Sequence, residues 1–276
     1  MLSLAACSKA KEAEYTPPAV VIPTVTINKR MPGVGTKQQY IQKLDLDLAF
    51  TQRNRLFDVV VKSTETRTDE LLEVSDGAVT KLRTTFNEAT SWASVAGQAA
   101  KDQPEPIHRN TYVLESKDGV NQVLGSDGKP APAAEAMLVA QRYPDFGKRD
   151  ALLGAIPDRP IAIGESMTTM ATEFEKLLVA GTPPDMKASA VVESIVLMSA
   201  DASAAIFDVS GSMAFEDNQL RMAVPLRGEL KILLASGVLA SMTLEGQVGL
   251  DLKDGEKARD PTLTIKGKMK LKVTVR

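Results

Sequence analysis

Residues 220–275 read LRMAVPLRGELKILLASGVLASMTLEGQVGLDLKDGEKARDPTLTIKGKMKLKVTV, and this stretch decides the fold. Leu220, Met222, Val224, Leu226, Gly228, Leu230, Ile232 and Leu234 form one apolar column at every second position. After Ser236-Gly237 a second column runs through Val238, Ala240, Met242, Leu244, Gly246, Val248, Leu250 and Leu252. After Asp254-Gly255 a third holds Leu263, Ile265, Gly267, Met269, Leu271, Val273 and Val275. The intervening positions are mostly polar: Arg221, Arg227, Glu229 and Lys231, then Thr243, Glu245 and Gln247, then Lys266, Lys268, Lys270 and Lys272. A period of two held this long predicts antiparallel strands with one face in a core and the other in water.

All three glycines fall on the apolar side. Folding about Glu256-Lys257 would set Gly246 opposite Gly267, and folding about Gly237 would set Gly228 opposite Gly246, giving a glycine row across the sheet. Glycine inside a strand marks a bend or a close approach by something else. Strands of about fifteen residues, against a usual mode of about 5–6, twist and curl. The expected fold class is therefore mainly β (α+β): a long curved antiparallel sheet, a half-barrel or open barrel. The glycine row is either a groove in its concave face or a bend that relieves twist.

The preceding chain reads as hairpins. Tyr40, Gln42, Leu44, Leu46, Leu48 and Phe50 alternate with polar residues in a first strand, whose Asp45 and Asp47 face outward and lack the partners of a calcium loop. Leu56 to Thr66 reads as a second strand. Ser75-Asp76-Gly77 and Lys117-Asp118-Gly119 are hairpin turns. Ser91 to Asn110 reads as an irregular excursion, with His108 on the surface. Pro132 to Tyr143 reads as a short helix, and 157–165 as an extended segment docked on the body. Val191 to Met198 is an almost unbroken apolar run, expected to be buried on both faces.

Ser166 caps a predicted helix that stops before Gly181. Met167, Met170, Phe174, Leu177 and Leu178 fall at i, i+3, i+7, i+10 and i+11, one continuous stripe. This helix is expected to lie across the concave face, over the glycine row. The stripe is core packing or, because methionine walls repack around varied apolar molecules, one side of a ligand groove. The groove would comprise Met167, Met170, Phe174, Leu177, Gly228, Gly246, Gly267, Met242 and Met269. Lys266, Lys268, Lys270 and Lys272 are either a patch for anionic lipid head groups or a solvated face that discourages strand-edge pairing.

Composition narrows the function classes. The chain of 276 residues is 43% hydrophobic and 25% charged with a net charge of −2, ordinary for a folded protein and without a pull toward nucleic acid. Aromatics at 4% argue against a stacking platform for bases. No nucleophile elbow is present, the single histidine supplies no metal site, and the carboxylates form no marked pair, so the expectation is a non-catalytic protein with no cofactor and no metal.

The one cysteine, Cys7, stands in Leu4-Ala5-Ala6-Cys7-Ser8. An aliphatic residue, two small ones and then cysteine resembles the lipobox of bacterial lipoproteins. The resemblance implies lipidation at Cys7, and Ser8 rather than Asp implies delivery to the outer membrane. Residues 1–7 would then be the end of a signal peptide whose charged and apolar regions lie upstream. The alternative is a free thiol. Residues 8–34, with Pro17, Pro18, Pro23 and Pro32, read as a flexible tether, and 35–276 as one β-rich domain: hairpins over 36–128, a helical connection over 131–180 and a meander over 186–276. The phrase from Leu153-Gly154-Ala155-Ile156-Pro157 through Ile163-Gly164-Glu165-Ser166 also resembles a midpoint found in uncharacterised lipoproteins of Gram-negative bacteria. The architecture looks like the half-barrel of periplasmic lipoprotein carriers and related lipid-binding lipoproteins. What these resemblances imply is a cell-envelope lipoprotein, held at the membrane by its lipid anchor, with a possible lipid ligand; the alternative is a structural or assembly factor with a filled core and protein partners.

Overall fold

The computed structural model describes residues 23–52, 55–96, 98–99, 103–180, 187–216, 221–250 and 264–276. Cys7 with its lipobox, tether residues 8–22, Leu220, Leu252, Leu263 and the Asp254-Gly255 turn lie outside them. The elements, in chain order, are β1 (Thr24–Val25), β2 (Lys37–Gln52), β3 (Arg55–Ser75), β4 (Ala78–Val95), β5 (Gln98–Ala99), β6 (Gln103–Pro104), β7 (Thr111–Lys117) and β8 (Val120–Gly125). Then come α1 (Ala133–Arg142), α2 (Ala151–Ala155), β9 (Ile161–Ala162), α3 (Thr168–Ala180), β10 (Lys187–Ala200), β11 (Ala204–Glu216), β12 (Arg221–Leu233), β13 (Leu239–Leu250) and β14 (Thr264–Val275).

Among the described residues, twelve strands form one antiparallel sheet in the order β10-β11-β12-β13-β14-β2-β3-β4-β7-β8, with β5 and β6 on the margin of β4. The last strand, β14, pairs with the first long one, β2, and so joins the two halves of the chain. The sheet does not close; β10 and β8 are its edges. Asp76-Gly77 and Asp118-Gly119 turn with positive φ at both residues (51° and 76°, 53° and 78°), the geometry that matches strand twist in a two-residue hairpin.

The alternation expected for β12, β13 and β14 is present, but its register differs by two residues. Gly246 faces Leu226 and Met269, Gly228 faces Leu244, and Gly267 faces Val248 and Leu48. The glycines make a staggered belt rather than a row. A Cβ on Gly228 would lie 2.9 Å from Leu244 Cδ2, one on Gly246 3.1 Å from Leu226 Cδ2, and one on Gly267 2.7 Å from Leu48 Cδ2. Each glycine is thus roofed by a leucine of the adjacent strand. A two-residue slip keeps every side chain on its own face, so alternation alone does not choose between these registers. A bulge between Lys231 and Ile232 sets Leu239 opposite Ile232.

Three clusters fill the concave side. Under α2 and α3, Met167, Met170 and Phe174 pack with Ile195, Leu197, Phe207, Leu230 and Ile232. Under α1, Val139 and Phe146 pack with Leu71, Phe86, Ile107, Tyr112 and Leu114. The third joins Leu48, Met213, Val224, Leu226, Val248 and Ile265, with Leu178 of α3 the one described contributor from outside the sheet. Its members come from the five consecutive strands β11, β12, β13, β14 and β2 and are 8% exposed or less. With Leu178 the one described cover, this burial reflects a sheet rolled inward at that end.

Several local expectations are corrected. The stretch from Leu56 to Thr66 is part of a single strand that continues to Ser75. Residues 91–95 extend β4, and two short strands of the supposed excursion pair with it. Residues 24–30, read as tether, are docked: β1 pairs with β9, Ile27 is buried, and Asn28 N–H donates to the Leu234 carbonyl. Val191 and Met198 are more than half exposed, because β10 is an edge strand with α3 on one face only. Ser166 bridges to Val196, and the first helical bond runs from Ala171 N–H to the Met167 carbonyl, so Met167 rather than Ser166 stands at the cap.

The glycine belt makes a signed test. A Cβ on Gly228 would sit 1.9 Å from the Thr243 carbonyl oxygen, so Gly228→Ala should cost about 1–3 kcal/mol. Gly154 in α2 has nothing within 4 Å of such a Cβ and an ordinary φ, so Gly154→Ala should gain roughly 0.4–1 kcal/mol. Urea midpoints at unchanged m-value measure both.

Candidate functional site

The two helical covers leave the middle of the sheet open. The inward side chains of β2 (Tyr40, Gln42, Leu44, Leu46) and β14 (Met269, Leu271, Val273, Val275) are half-buried, whereas those of β12 (Leu230, Ile232) are fully covered. Beside them a cavity of about 480 Å³ runs between the segment 143–153 and the sheet. It is lined by Leu71, Val79 and Leu82 of β3 and β4, by Phe146, Leu152, Leu153 and Leu177 of the covering segments, and by Leu239, Val273 and Val275 of β13 and β14. This falls in the range of about 300–1,000 Å³ usual for small-molecule sites, which pair apolar walls with a few placed polar groups.

Here the lining carries the charged Asp145, Lys148, Arg149, Asp150, Glu173 and Lys176, and with them Gln38, Tyr40, Asp69 and Tyr143. The last four belong to, or adjoin, a buried ionic cluster on the inward side of β3. The Arg67 guanidinium lies between two rings, 4.6 Å from the Tyr40 centroid and 4.8 Å from that of Tyr143. It donates to Glu65 Oε1 at 2.6 Å and meets Asp69 Oδ2 at 3.5 Å. Arg142, at the end of α1, donates to Glu65 Oε2 at 2.7 Å and to Glu105 Oε2 at 2.8 Å. The Tyr143 hydroxyl donates to Asp69 Oδ1 at 2.6 Å and lies 2.7 Å from Thr84 Oγ1. The end of α1 is thus bolted to β3 through charges.

Burial governs the protonation of this cluster. It pushes the Asp69 carboxyl above the usual range, with Arg67 and the Tyr143 hydroxyl pulling the other way. It pushes the Tyr40 phenol up to about 12, helped by Asp69, and Tyr143 well above its ordinary value. Burial would lower Arg67, but Tyr143, Asp69 and Glu65 together hold it higher than a free guanidinium.

The residues expected to line one groove are dispersed. Met167, Met170 and Phe174 are packed in the core beneath α3, Met242 sits at that core's margin, and Met269 belongs to the rolled end. The three glycines are roofed by leucines. Leu177 alone of the set lines the cavity. Lys266, Lys268, Lys270 and Lys272 lie exposed on the outer face. There Lys268 faces Asp47 and Gln247, while Lys270 faces Asp45 and forms a 2.5 Å ion pair with Glu245. His108 is half-buried rather than free on the surface; its Nδ1 accepts the Ala89 N–H at 3.0 Å. It thereby fills a gap in pairing along β4 between β6 and β7. Among the described residues, no group of three or more His, Cys, Asp or Glu is placed to hold a metal, and no helix is long and apolar enough to cross a membrane.

Geometry and fold together define a large open antiparallel sheet with helical covers and a lateral cavity. No family model matches the chain, and no curated protein matches it in sequence. Solved structures similar to it include lipovitellin, from work on its lipid–protein interactions (TM-score 0.39, 6% identity, 88% of this chain and 25% of that one). DynF of the dynemicin pathway of Micromonospora chersina gives TM-score 0.24 at 9% identity over 98% and 92% of the two chains. The translocator domain of the autotransporter NalP from Neisseria meningitidis gives 0.21 at 4% identity over 88% and 89%. The chain spans a quarter of the length of the lipovitellin chain, and at TM-scores below 0.5 these likenesses carry no argument.

Two measurements probe the cluster. Arg67→Met removes the cation shared by Glu65 and Asp69 and should cost about 3–5 kcal/mol, because uncompensated buried carboxylates remain. The tyrosines set an alkaline limit. A phenol whose folded pKa is raised contributes stability present below its ordinary value of 10, lost as pH climbs through about 12. Stability should fall between pH 10 and 12, less steeply in Tyr40→Phe, and absorbance at 295 nm should show Tyr40 ionising only toward the top of that interval.

Proposed function

We propose that this chain is a non-catalytic cell-envelope lipoprotein, tethered to the membrane by a lipid on Cys7, that holds an apolar ligand such as an acyl chain. The observation that carries the ligand reading is the lateral cavity, walled by aliphatic side chains and open along the uncovered middle of the sheet. The site lies on the flank of α3, at Leu177, rather than beneath the helix, where Met167, Met170 and Phe174 are already packed. The tether rests on the lipobox sequence alone. A scaffold or assembly factor is the second reading, favoured by the leucines that fill the glycine belt and leave the rolled end without a groove.

Protein purified with Cys7→Ser, which removes the acylation site, separates the two. Mass spectrometry of its organic extract should reveal a co-purifying lipid. Leu177→Arg, which puts a charge into the cavity wall, should lower its yield severalfold. An extract without lipid, together with no saturable binding of a fluorescent apolar dye, would leave the scaffold reading standing.

A further inference from the structure

The polar groups of the cavity select among amphiphiles. Asp69, 3% exposed, presents a carboxylate at the wall. The Tyr40 hydroxyl donates to Gln38 Oε1 at 3.3 Å, which leaves the Gln38 amide nitrogen and the phenol oxygens as uncharged neighbours. The nearest cation, Arg67, is committed: its faces are stacked between two tyrosine rings and its N–H groups go to Glu65 and Asp69. At the mouth, Lys148 pairs with Asp145 at 3.1 Å and Lys176 with Glu173 at 2.7 Å through exposed side chains, and Arg149 Nε donates to the Asp76 carbonyl at 2.7 Å. These cations stay in water, where a counter-charge is worth little. An anionic head group at the Asp69 end would meet a carboxylate in poorly solvated surroundings, beside a cation already shared by Glu65 and Asp69. A hydroxyl or amide head can instead donate to Asp69 and accept from Gln38.

We propose that the cavity takes an amphiphile with an uncharged, hydrogen-bond-donating head, of the monoacylglycerol or fatty-alcohol kind, in preference to an anionic one. The proposal rests on the ligand reading above and specifies its chemistry. The Asp69 end of the cavity receives the head, and the tail runs along Leu239, Val273 and Leu177.

The test is displacement of the neutral dye Nile red from the full chain at pH 8 by 1-monolauroylglycerol and by laurate. The glycerol ester should displace the dye at about tenfold lower concentration or less. Asp69→Asn should bring laurate to within about threefold of the ester, because the repelling charge is gone. Should Asp69→Asn fail to fold, Gln38→Leu carries the comparison: it should weaken the ester severalfold and leave laurate unchanged. Laurate equal to or better than the ester on the unaltered chain overturns the proposal while leaving the ligand reading intact. A preference that the folded variant does not change also overturns it. Saturable dye binding that neither amphiphile displaces also overturns it, whereas no saturable dye binding and no lipid in the extract remove the ligand reading as well.

Discussion

A sheet this wide has more apolar surface on one side than a few short helices can cover, and the remainder of the structure answers that constraint. At the rolled end the sheet buries itself, and the glycine belt makes the roll sterically possible. Gly211, Gly228, Gly246 and Gly267 occupy successive strands at points where an added Cβ would strike a neighbouring carbonyl oxygen at 1.9–2.5 Å. Backbones approach there more closely than any other residue permits, and Leu48, Leu226 and Leu244 fall into the space the missing side chains leave. Burying one such leucine contributes about 1.5–3 kcal/mol, which outweighs the cost of about 0.5–1 kcal/mol for a glycine within a strand.

The outer face meets the opposite demand, that of holding long strands in water without sliding. Arg227, Glu245, Lys270, Asp45 and Lys62 stand side by side on five consecutive strands, alternating in sign. The neighbouring row lacks this order, since Lys272 faces Lys43 directly. Cross-strand charge pairs contribute about 0.2–1 kcal/mol each, too little to set the register alone. The lysines at every second position from 266 to 272 make a two-residue slip nearly neutral in charge, as Lys268 would then meet Glu245. Size decides instead. The slipped register sets Gly246 against Gly267, with nothing to fill the space, whereas the observed one puts a large side chain opposite each glycine.

That contrast explains what could be read from the chain. Long alternation in 220–250 and 264–275 was sufficient for an open curved sheet, and the Asp-Gly pairs were sufficient for two hairpins. The register needed side-chain volumes across three strands at once, which alternation does not encode. The ionic cluster was hidden for a related reason: TETRTDE, residues 64–70, holds four charged residues and no apolar one, so it shows no apolar column of its own. Its signal lay in phase, because Val59, Val61, Leu71 and the charged trio Glu65, Arg67 and Asp69 all share odd parity on one strand. Charged residues that keep the beat of an apolar column are inward-facing, and inward charges need partners. Those partners, Tyr40, Arg142 and Tyr143, come from distant parts of the chain. In Val191–Met198 the apolar run reflects an edge strand that carries exposed hydrophobics, a burden that composition alone does not distinguish from double-sided burial.

The edge also explains why the cavity lies where it does. An open sheet must protect its last strand from pairing with another chain. On β10 this is achieved by the segment leading into α3: Gly164 N–H donates to the Leu197 carbonyl, Leu197 N–H to Glu165, and Met167 N–H to Ile195. Glu175, within the helix, accepts the Val192 N–H at 2.8 Å. Using the helix and its leader to cap the edge pins α3 over β10 and the strands beside it. The body of the helix stays over β10, with only Leu177 and Leu178 turned toward the central strands, and α1 is held at the other flank by Arg142 and Tyr143. The gap between the two anchored covers is therefore a consequence of edge protection on one side and a buried ion cluster on the other. Closing it would require giving up one of those two attachments.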